Sequence, residues 1–255
     1  MKVIFFDMDG TLLSHKYKEV PLSARKALQK LRQNGIRVVV CTGRSMSELN
    51  RLPGNGIQYD GYITLNGSLI YDENKNLIFD VPLDENDKEC LIHLFEEKKM
   101  PISLVNKDEL YANYIDEFTK IAHEAVSSPL PNIKEHDGKE FYLAIAYANK
   151  IVEQQLSNML PNCKITRWNE FGLDIISKNG GKAKGIQKYL EIYHLNQKDT
   201  MAFGDGENDI EMLEYVQLGI AMGNSNEQVK AIADDVTDSI DDDGIEHALI
   251  KYHLI

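Results

Sequence analysis

The sequence is poor in cysteine, tryptophan and positive charge. Cys41, Cys90 and Cys163 are the only cysteines among 255 residues. A sparse, odd set supplies neither a disulfide framework nor a Cys-x-x-Cys metal site, which suits a reducing compartment. Lysine and arginine number 28 against 40 aspartates and glutamates, a net charge of −12. That deficit argues against nucleic acid or an anionic membrane as the main partner. It leaves open an anionic small molecule, because a site can be locally positive. No apolar stretch approaches the roughly 20 residues of a membrane span. The opening apolar run, Val3 to Phe6, is interrupted by Asp7 and Asp9, unlike a secretory signal. The seven histidines form no His-Glu-x-x-His zinc motif, and the acidic run 238–243 reads as a solvated loop. Internal repeats and low-complexity tracts are also missing. These absences lead us to expect a cytoplasmic chain with neither nucleic acid nor membrane as partner; they say nothing of its oligomeric state.

With 43% hydrophobic and 27% charged residues, the composition is that of a packed globular protein. Val3 to Phe6 reads as a strand. Ala24, Ala27, Leu28 and Leu31 recur at helical spacing, with Ser23 a candidate cap and Gly35 a candidate stop. Ile36 to Val40 is a continuous β-branched run, the mark of a strand buried on both faces. Strand, helix and strand in the first 45 residues make a parallel crossover unit. The last third has the same rhythm, with helices predicted over 182–195, 208–216, 226–236 and 244–255 and strands over 200–203 and 218–224. The middle differs. Strands joined by a turn at 73–76 precede a helix over 86–99, a strand over 141–148, a helix over 151–160 and a strand over 173–177. Two helices with several strands fit an α+β insertion at about 83–177, within a core made of 1–82 and 178–255.

Three of the core strands end alike: one at Asp7, one near Thr42, one near Asp205. Ligands of open parallel sheets bind outside the carboxyl ends of the strands. Asp7, Asp9, Thr42, Asp205 and Asp209 are therefore expected at one rim. Clustered carboxylates repel one another unless a cation sits among them, and hard oxygen ligands favour Mg²⁺. Asp7 and Asp205 are the expected metal ligands. A carboxylate can also attack phosphorus and form an aspartyl-phosphate. Facing a phosphate dianion at ~4 Å in an effective dielectric of ~20, it is repelled by roughly 8 kcal/mol. A divalent cation and an ammonium group offset this, and Lys182, after Gly180 and Gly181, is the expected ammonium, with Lys178 and Lys184 nearby. Asp9 is placed to protonate the leaving oxygen and then activate water.

The segments DMDGT (7–11), CTGR (41–44), Lys182 and GDGEND (204–209) resemble the four motifs of the haloacid dehalogenase superfamily of phosphohydrolases. Their spacings are 35, 140 and 23 residues from Asp7 to Thr42 to Lys182 to Asp205. The long middle gap matches a cap inserted between the second and third motifs. TLNGSLI (64–70) and GDGENDIEML (204–213) resemble the Cof-like branch, often called sugar phosphatases. One departure is Ala183, where the family often has glycine. The resemblance implies a Rossmann-like parallel-sheet α/β core with an α+β cap of the C2 type, and an Mg²⁺-dependent phosphatase of small phosphorylated metabolites. It implies Asp7 as nucleophile and metal ligand, Asp9 as acid/base and backbone-carbonyl ligand, and Asp205 as third ligand. Thr42, Gly43, Lys182 and Asn208 would contact phosphate, with Asp209 supporting the metal or Lys182. Asn66 and Gly67, near the strand rim and the hinge to the cap, are candidate substrate contacts. Arg167 and the lone tryptophan, Trp168, are cap residues worth testing, although packing is the simpler role for the indole. A phosphomutase or phosphonate-cleaving enzyme on the same core, or a non-catalytic module, are the alternatives.

Overall fold

The computed structural model describes residues 1–52, 56–126 and 128–255. The chain forms two compact units. One comprises Met1–Arg44, Glu48–Phe79 and Lys182–Ile255; the other comprises Ser45–Ser47 and Asp80–Gly181.

The first unit begins with β1 (Val3–Phe6), α1 (Leu22–Gln33) and β2 (Arg37–Cys41), followed by the single turn α2 (Met46–Leu49). It continues through β3 (Gly61–Thr64), β4 (Leu69–Tyr71) and β5 (Leu77–Asp80). All four residues of β1 are fully buried, as a continuous apolar strand in the middle of a sheet should be. In α1 the buried residues are Ala24, Ala27, Leu28 and Leu31, the stripe set by the 3.6-residue period. Its start differs from expectation. Pro21 occupies the N-cap, no side chain caps the helix, and Ser23 lies inside it, donating instead to Asp243 at 2.5 Å. Proline suits that position because it has no N–H to satisfy. The other end is closed by Gly35 at φ +77°.

The second unit runs α3 (Glu85–Glu96), β6 (Ile102–Val105), β7 (Leu110–Ala112), α4 (Glu117–Ala125), β8 (Asn132–Ile133), β9 (Leu143–Tyr147), α5 (Lys150–Met159), β10 (Cys163–Arg167) and β11 (Gly172–Ser177). Its described strands form one sheet, ordered β10-β11-β9-β6-β7-β8, antiparallel except for β7 with β8. Leu91, Phe95, Ile102, Leu104, Leu156 and Ile175 lie in its core. Where two helices were expected, α4 is a third. It buries Thr119, Ala122 and His123 while Phe118 and Ile121 stay exposed, so its apolar period is inverted. An Asp116–Thr119 capping box starts it. Strands β6, β7 and β10 are additional to the expected ones; they are three to five residues long, and of the three only β6 is buried at every position.

The chain returns to the first unit with α6 (Lys182–Ile192), β12 (Thr200–Gly204), α7 (Ile210–Tyr215), β13 (Leu218–Ala221), α8 (Glu227–Ile232), β14 (Asp235–Val236) and α9 (Gly244–Lys251). The helix expected to reach residue 236 stops at Ile232. Asp234 accepts the Gly219 N–H at 2.8 Å, and the following residues pair with β13 as β14. The described strands form a sheet ordered β14-β13-β12-β1-β2-β3-β4-β5, parallel from β14 to β3, with β4 antiparallel to β3. The order reverses at β1: β2 and β3 extend one way, β12 and β13 the other. The crevice beyond the carboxyl end of β1 is thus a topological switch point, where such sheets bind ligands.

Candidate active site

Asp7 is the first residue past β1. Its N–H donates to the Phe203 carbonyl of β12 at 3.0 Å, and it is 5% exposed. The chain then turns tightly: the N–H groups of Leu12 and Leu13 both donate to the Met8 carbonyl. Gly10 sits in this turn at φ +80°, and a Cβ there would run into the Asp205 carboxylate. Glycine thus allows both the left-handed turn and the close approach of β1's loop to β12's. The Thr11 hydroxyl donates to Asp205 Oδ1 at 2.9 Å. Asn224 ties the same two loops, its Nδ2 reaching the Gly10 carbonyl at 2.8 Å and Asp205 Oδ2 at 3.4 Å.

Lys182 is the first residue of α6 and is 1% exposed. Its Nζ lies 2.6 Å from Asp7 Oδ1 and 2.5 Å from Asp209 Oδ1. The other oxygen of Asp209 accepts the Asp205 and Gly206 N–H groups at 3.0 and 2.9 Å. Asp209 therefore fixes both the ammonium and the loop that carries Asp205. Burial raises Asp7 well above the usual carboxylate range, and Asp209 adds to this while Lys182 opposes it. Burial, then Asp209, pushes Asp205 up to about 7. Burial alone would lower Lys182, but Asp209 and Asp7 outweigh it and hold the ammonium above its usual value. The Cys41 thiol, buried at the end of β2, is pushed up chiefly by desolvation.

Beside this cluster, Thr42 caps the end of β2 with its N–H on the Ile63 carbonyl. The Thr42 hydroxyl oxygen accepts the Arg44 N–H at 3.1 Å. Leu65, Asn66 and Gly67 follow β3 with φ of 49°, 50° and 89°, a left-handed run that returns the chain against β2. The Asn66 N–H donates to the Thr42 carbonyl at 3.0 Å. A Cβ on Gly43 would come within 3.2 Å of Asn66 Oδ1, the atom to which Asn208 Nδ2 donates at 3.3 Å. Asp9 is gripped by Arg44, Nε to Oδ2 and Nη2 to Oδ1, both at 2.6 Å.

The predicted residues Asp7, Lys182, Asp205 and Asp209 thus meet directly, and Gly43, Asn66 and Asn208 form a second contiguous group. Lys178 and Lys184, the other candidate lysines, are exposed. In the second unit Arg167 pairs with Glu153 and caps backbone carbonyls, and the Trp168 indole lies over Gly172. The sequence reading assigned nothing to Arg44, Thr11 or Asn224. Arg44 and Thr11 sit inside the quoted motifs, so a signal existed; Asn224 had none.

One oxygen each from Asp7, Asp205 and Asp209 lie within 4.8 Å of one another. These donors are all carboxylate oxygens, which suits a hard divalent cation. Asp209 already spends its oxygens on Lys182 and two backbone amides, leaving Asp7 and Asp205 as the better ligands. Four carboxylates, those of Asp7, Asp9, Asp205 and Asp209, face two cations, Lys182 and Arg44. One divalent cation would balance that charge, so the residues present fit such an ion.

The strand-end acid cluster and its buried lysine thus lie at the switch point of the parallel sheet, where such sheets bind ligands. Comparison with known proteins gives the family. The haloacid dehalogenase-like hydrolase family matches residues 4–249. YkrA of Bacillus subtilis (strain 168) is 34% identical over 264 residues, covering 100% of this chain and 98% of YkrA. The solved structure of BT1666 from Bacteroides thetaiotaomicron, described among phosphatases of that superfamily, superposes with a TM-score of 0.91 at 31% identity, covering 100% of this chain and 96% of that one. BT4131, described as a subclass IIB sugar phosphatase, superposes at 0.87 with 30% identity and 100% coverage of both chains. The chain belongs to the haloacid dehalogenase-like hydrolase family and is a Cof-like phosphatase within it. Among the described residues no helix is long and apolar enough to cross a membrane.

Proposed function

We propose that this phosphatase hydrolyses small phosphate monoesters, sugar phosphates or related metabolites, in two steps through Asp7, with Mg²⁺ as its metal. A carboxylate oxygen of Asp7 attacks phosphorus and the bond to the ester oxygen breaks, with Asp9 delivering a proton to the departing alkoxide. Water then attacks the aspartyl-phosphate, Asp9 takes its proton, and inorganic phosphate leaves with Asp7 restored. Asp7 and Asp205, with the Asp9 carbonyl, would hold Mg²⁺, which would offset the repulsion between carboxylate and phosphate. Lys182 neutralises the phosphoryl oxygens, and Thr42, Gly43 and Asn208 orient them by hydrogen bonding. The second unit, taken as 83–177, serves as the cap that selects the leaving group, with Asn66 and Gly67 as substrate contacts near the hinge.

The observation that carries this reading is the buried Lys182 ammonium joined to both Asp7 and Asp209. A buried ion cluster is costly to keep in a merely structural role. The comparison with BT4131 supports the sugar phosphate class. The test is a screen of phosphorylated metabolites and p-nitrophenyl phosphate with Mg²⁺, then with EDTA. Phosphate release that EDTA abolishes is expected, with no isomerised sugar phosphate. Asp7→Asn should lower turnover by roughly three orders of magnitude or more with an unchanged circular dichroism spectrum. Wild-type turnover in that variant would rule out Asp7 as nucleophile.

A further inference from the structure

We propose that Arg44 is the positioning residue for Asp9: its guanidinium sets the rotamer that aims the Asp9 carboxylate at the leaving-group oxygen. The inference rests on the acid/base reading of Asp9 given above.

The contact is a two-point one. Arg44 Nε and Nη2 donate to separate oxygens of Asp9, each at 2.6 Å. Parallel charge-assisted bonds of this kind fix the plane of a carboxylate as well as its distance. Among the described residues no other side chain bonds the Asp9 carboxylate, so its orientation depends on this one partner. Its side chain is 28% exposed and that of Arg44 16%, so water competes only in part.

The anchor is itself held. The Arg44 N–H donates to Thr42 Oγ1, and its carbonyl accepts the Leu65 N–H at 3.2 Å, where Leu65 has a left-handed φ of 49°. The backbone of Arg44 is thereby tied to β2 below and to the turn after β3 above. A side chain whose root is pinned at both peptide groups transmits that position to what it grips. Arg44 is also the last residue of the first unit before Ser45–Ser47, which group with the second. A lysine here could reach only one Asp9 oxygen and could not fix the plane.

The alternative role for an arginine at this rim is to bind the substrate phosphate itself. The two roles separate kinetically. Steady-state kinetics on p-nitrophenyl phosphate with Mg²⁺ would compare wild type, Arg44→Lys and Arg44→Ala, with melting curves for each. A positioning role predicts that Arg44→Lys, although it keeps the charge, lowers kcat by about tenfold or more while KM stays within roughly threefold. It predicts that millimolar guanidinium chloride restores part of the kcat of Arg44→Ala and does nothing for Arg44→Lys. Unchanged kcat in Arg44→Lys overturns the proposal. So does a raised KM at constant kcat, which would make Arg44 a phosphate anchor. If Arg44→Ala does not fold, Arg44→Lys decides alone. Wild-type kcat in Asp9→Asn would instead sink the reading of Asp9, a separate and recognisable outcome.

Discussion

Lys182 and Asp209 form an ion pair in which neither side chain is exposed at all, and the same ammonium reaches Asp7 across 175 residues of sequence. The segments after β1 and β12 and the start of α6 are drawn together at that point. The pair joins the support of the Asp205 loop to the neutralisation of Asp7, so its removal should damage stability and chemistry at once.

Lys182→Met leaves Asp7 and Asp209 as buried carboxylates facing each other without a cation. Removing one partner of a buried pair costs about 3–5 kcal/mol. Urea unfolding of the metal-free protein should show a loss of this size in the first unit's transition. A loss below about 1 kcal/mol would mean that water or a rotated side chain already screens the cluster.

The pH dependence of metal-free stability follows from Asp205. Its folded value of about 7 lies above the ordinary 3.8. Between those values the folded chain binds more protons than the unfolded one, so stability is greatest in acid and falls as pH rises through about 7. A divalent cation removes the reason for holding that proton. The rise in melting temperature on adding Mg²⁺ should therefore be larger at pH 8 than at pH 5, and equal rises would contradict the assignment of Asp205 as a ligand.

Gly10→Ala places a methyl group against the Asp205 carboxylate and forces alanine to φ +80°. The strain costs on the order of 1–3 kcal/mol, and it falls between two proposed metal-binding segments. Calorimetric titration should find weaker Mg²⁺ binding along with a lower melting temperature. Full retention of Mg²⁺ affinity would show that the two loops can separate without harm.

In the second unit, Asn113 is a single buried side chain serving four backbone groups. Its Oδ1 accepts from Ile102 and Tyr114, and its Nδ2 donates to the carbonyls of Phe95 and Met100. Each buried group left unsatisfied costs about 1–3 kcal/mol. Asn113→Ala should thus destabilise this unit by several kcal/mol, read by hydrogen exchange at β6, and leave the Mg²⁺-dependent melting shift of the first unit in place.

The core was largely legible in the sequence. Val3 to Phe6 and Ile36 to Val40 are runs that only a doubly covered strand can bury, and α1 follows its apolar period from Ala24 to Leu31. The second unit was harder. In α4 the buried face carries Thr119, Ala122 and His123, so a period count looks for its core on the wrong side. The short strands β6, β7 and β10 are too brief to show a period of their own, and antiparallel pairing fixes them, β6 with β7 and β9, and β10 with β11. Among site residues, Asp7, Lys182, Asp205 and Asp209 were named from local pattern. Arg44 lies inside the CTGR motif, but the partner it grips follows from the pairing of β1 with β2 and not from the residues around it.

What the amino-acid sequence determined by itself is the kind of group at each strand end: a carboxylate after β1, a hydroxyl after β2, carboxylates after β12. Apolar runs and turn-forming glycines act over a few residues, so they can be read in place. Which of these groups touch was decided by the tertiary structure alone. The 2.6 Å contact of Lys182 with Asp7, the grip of Arg44 on Asp9 and the bridge from Asn224 to Gly10 all depend on β1 lying between β2 and β12. That order is set by packing between segments far apart in the chain, and no local window contains it.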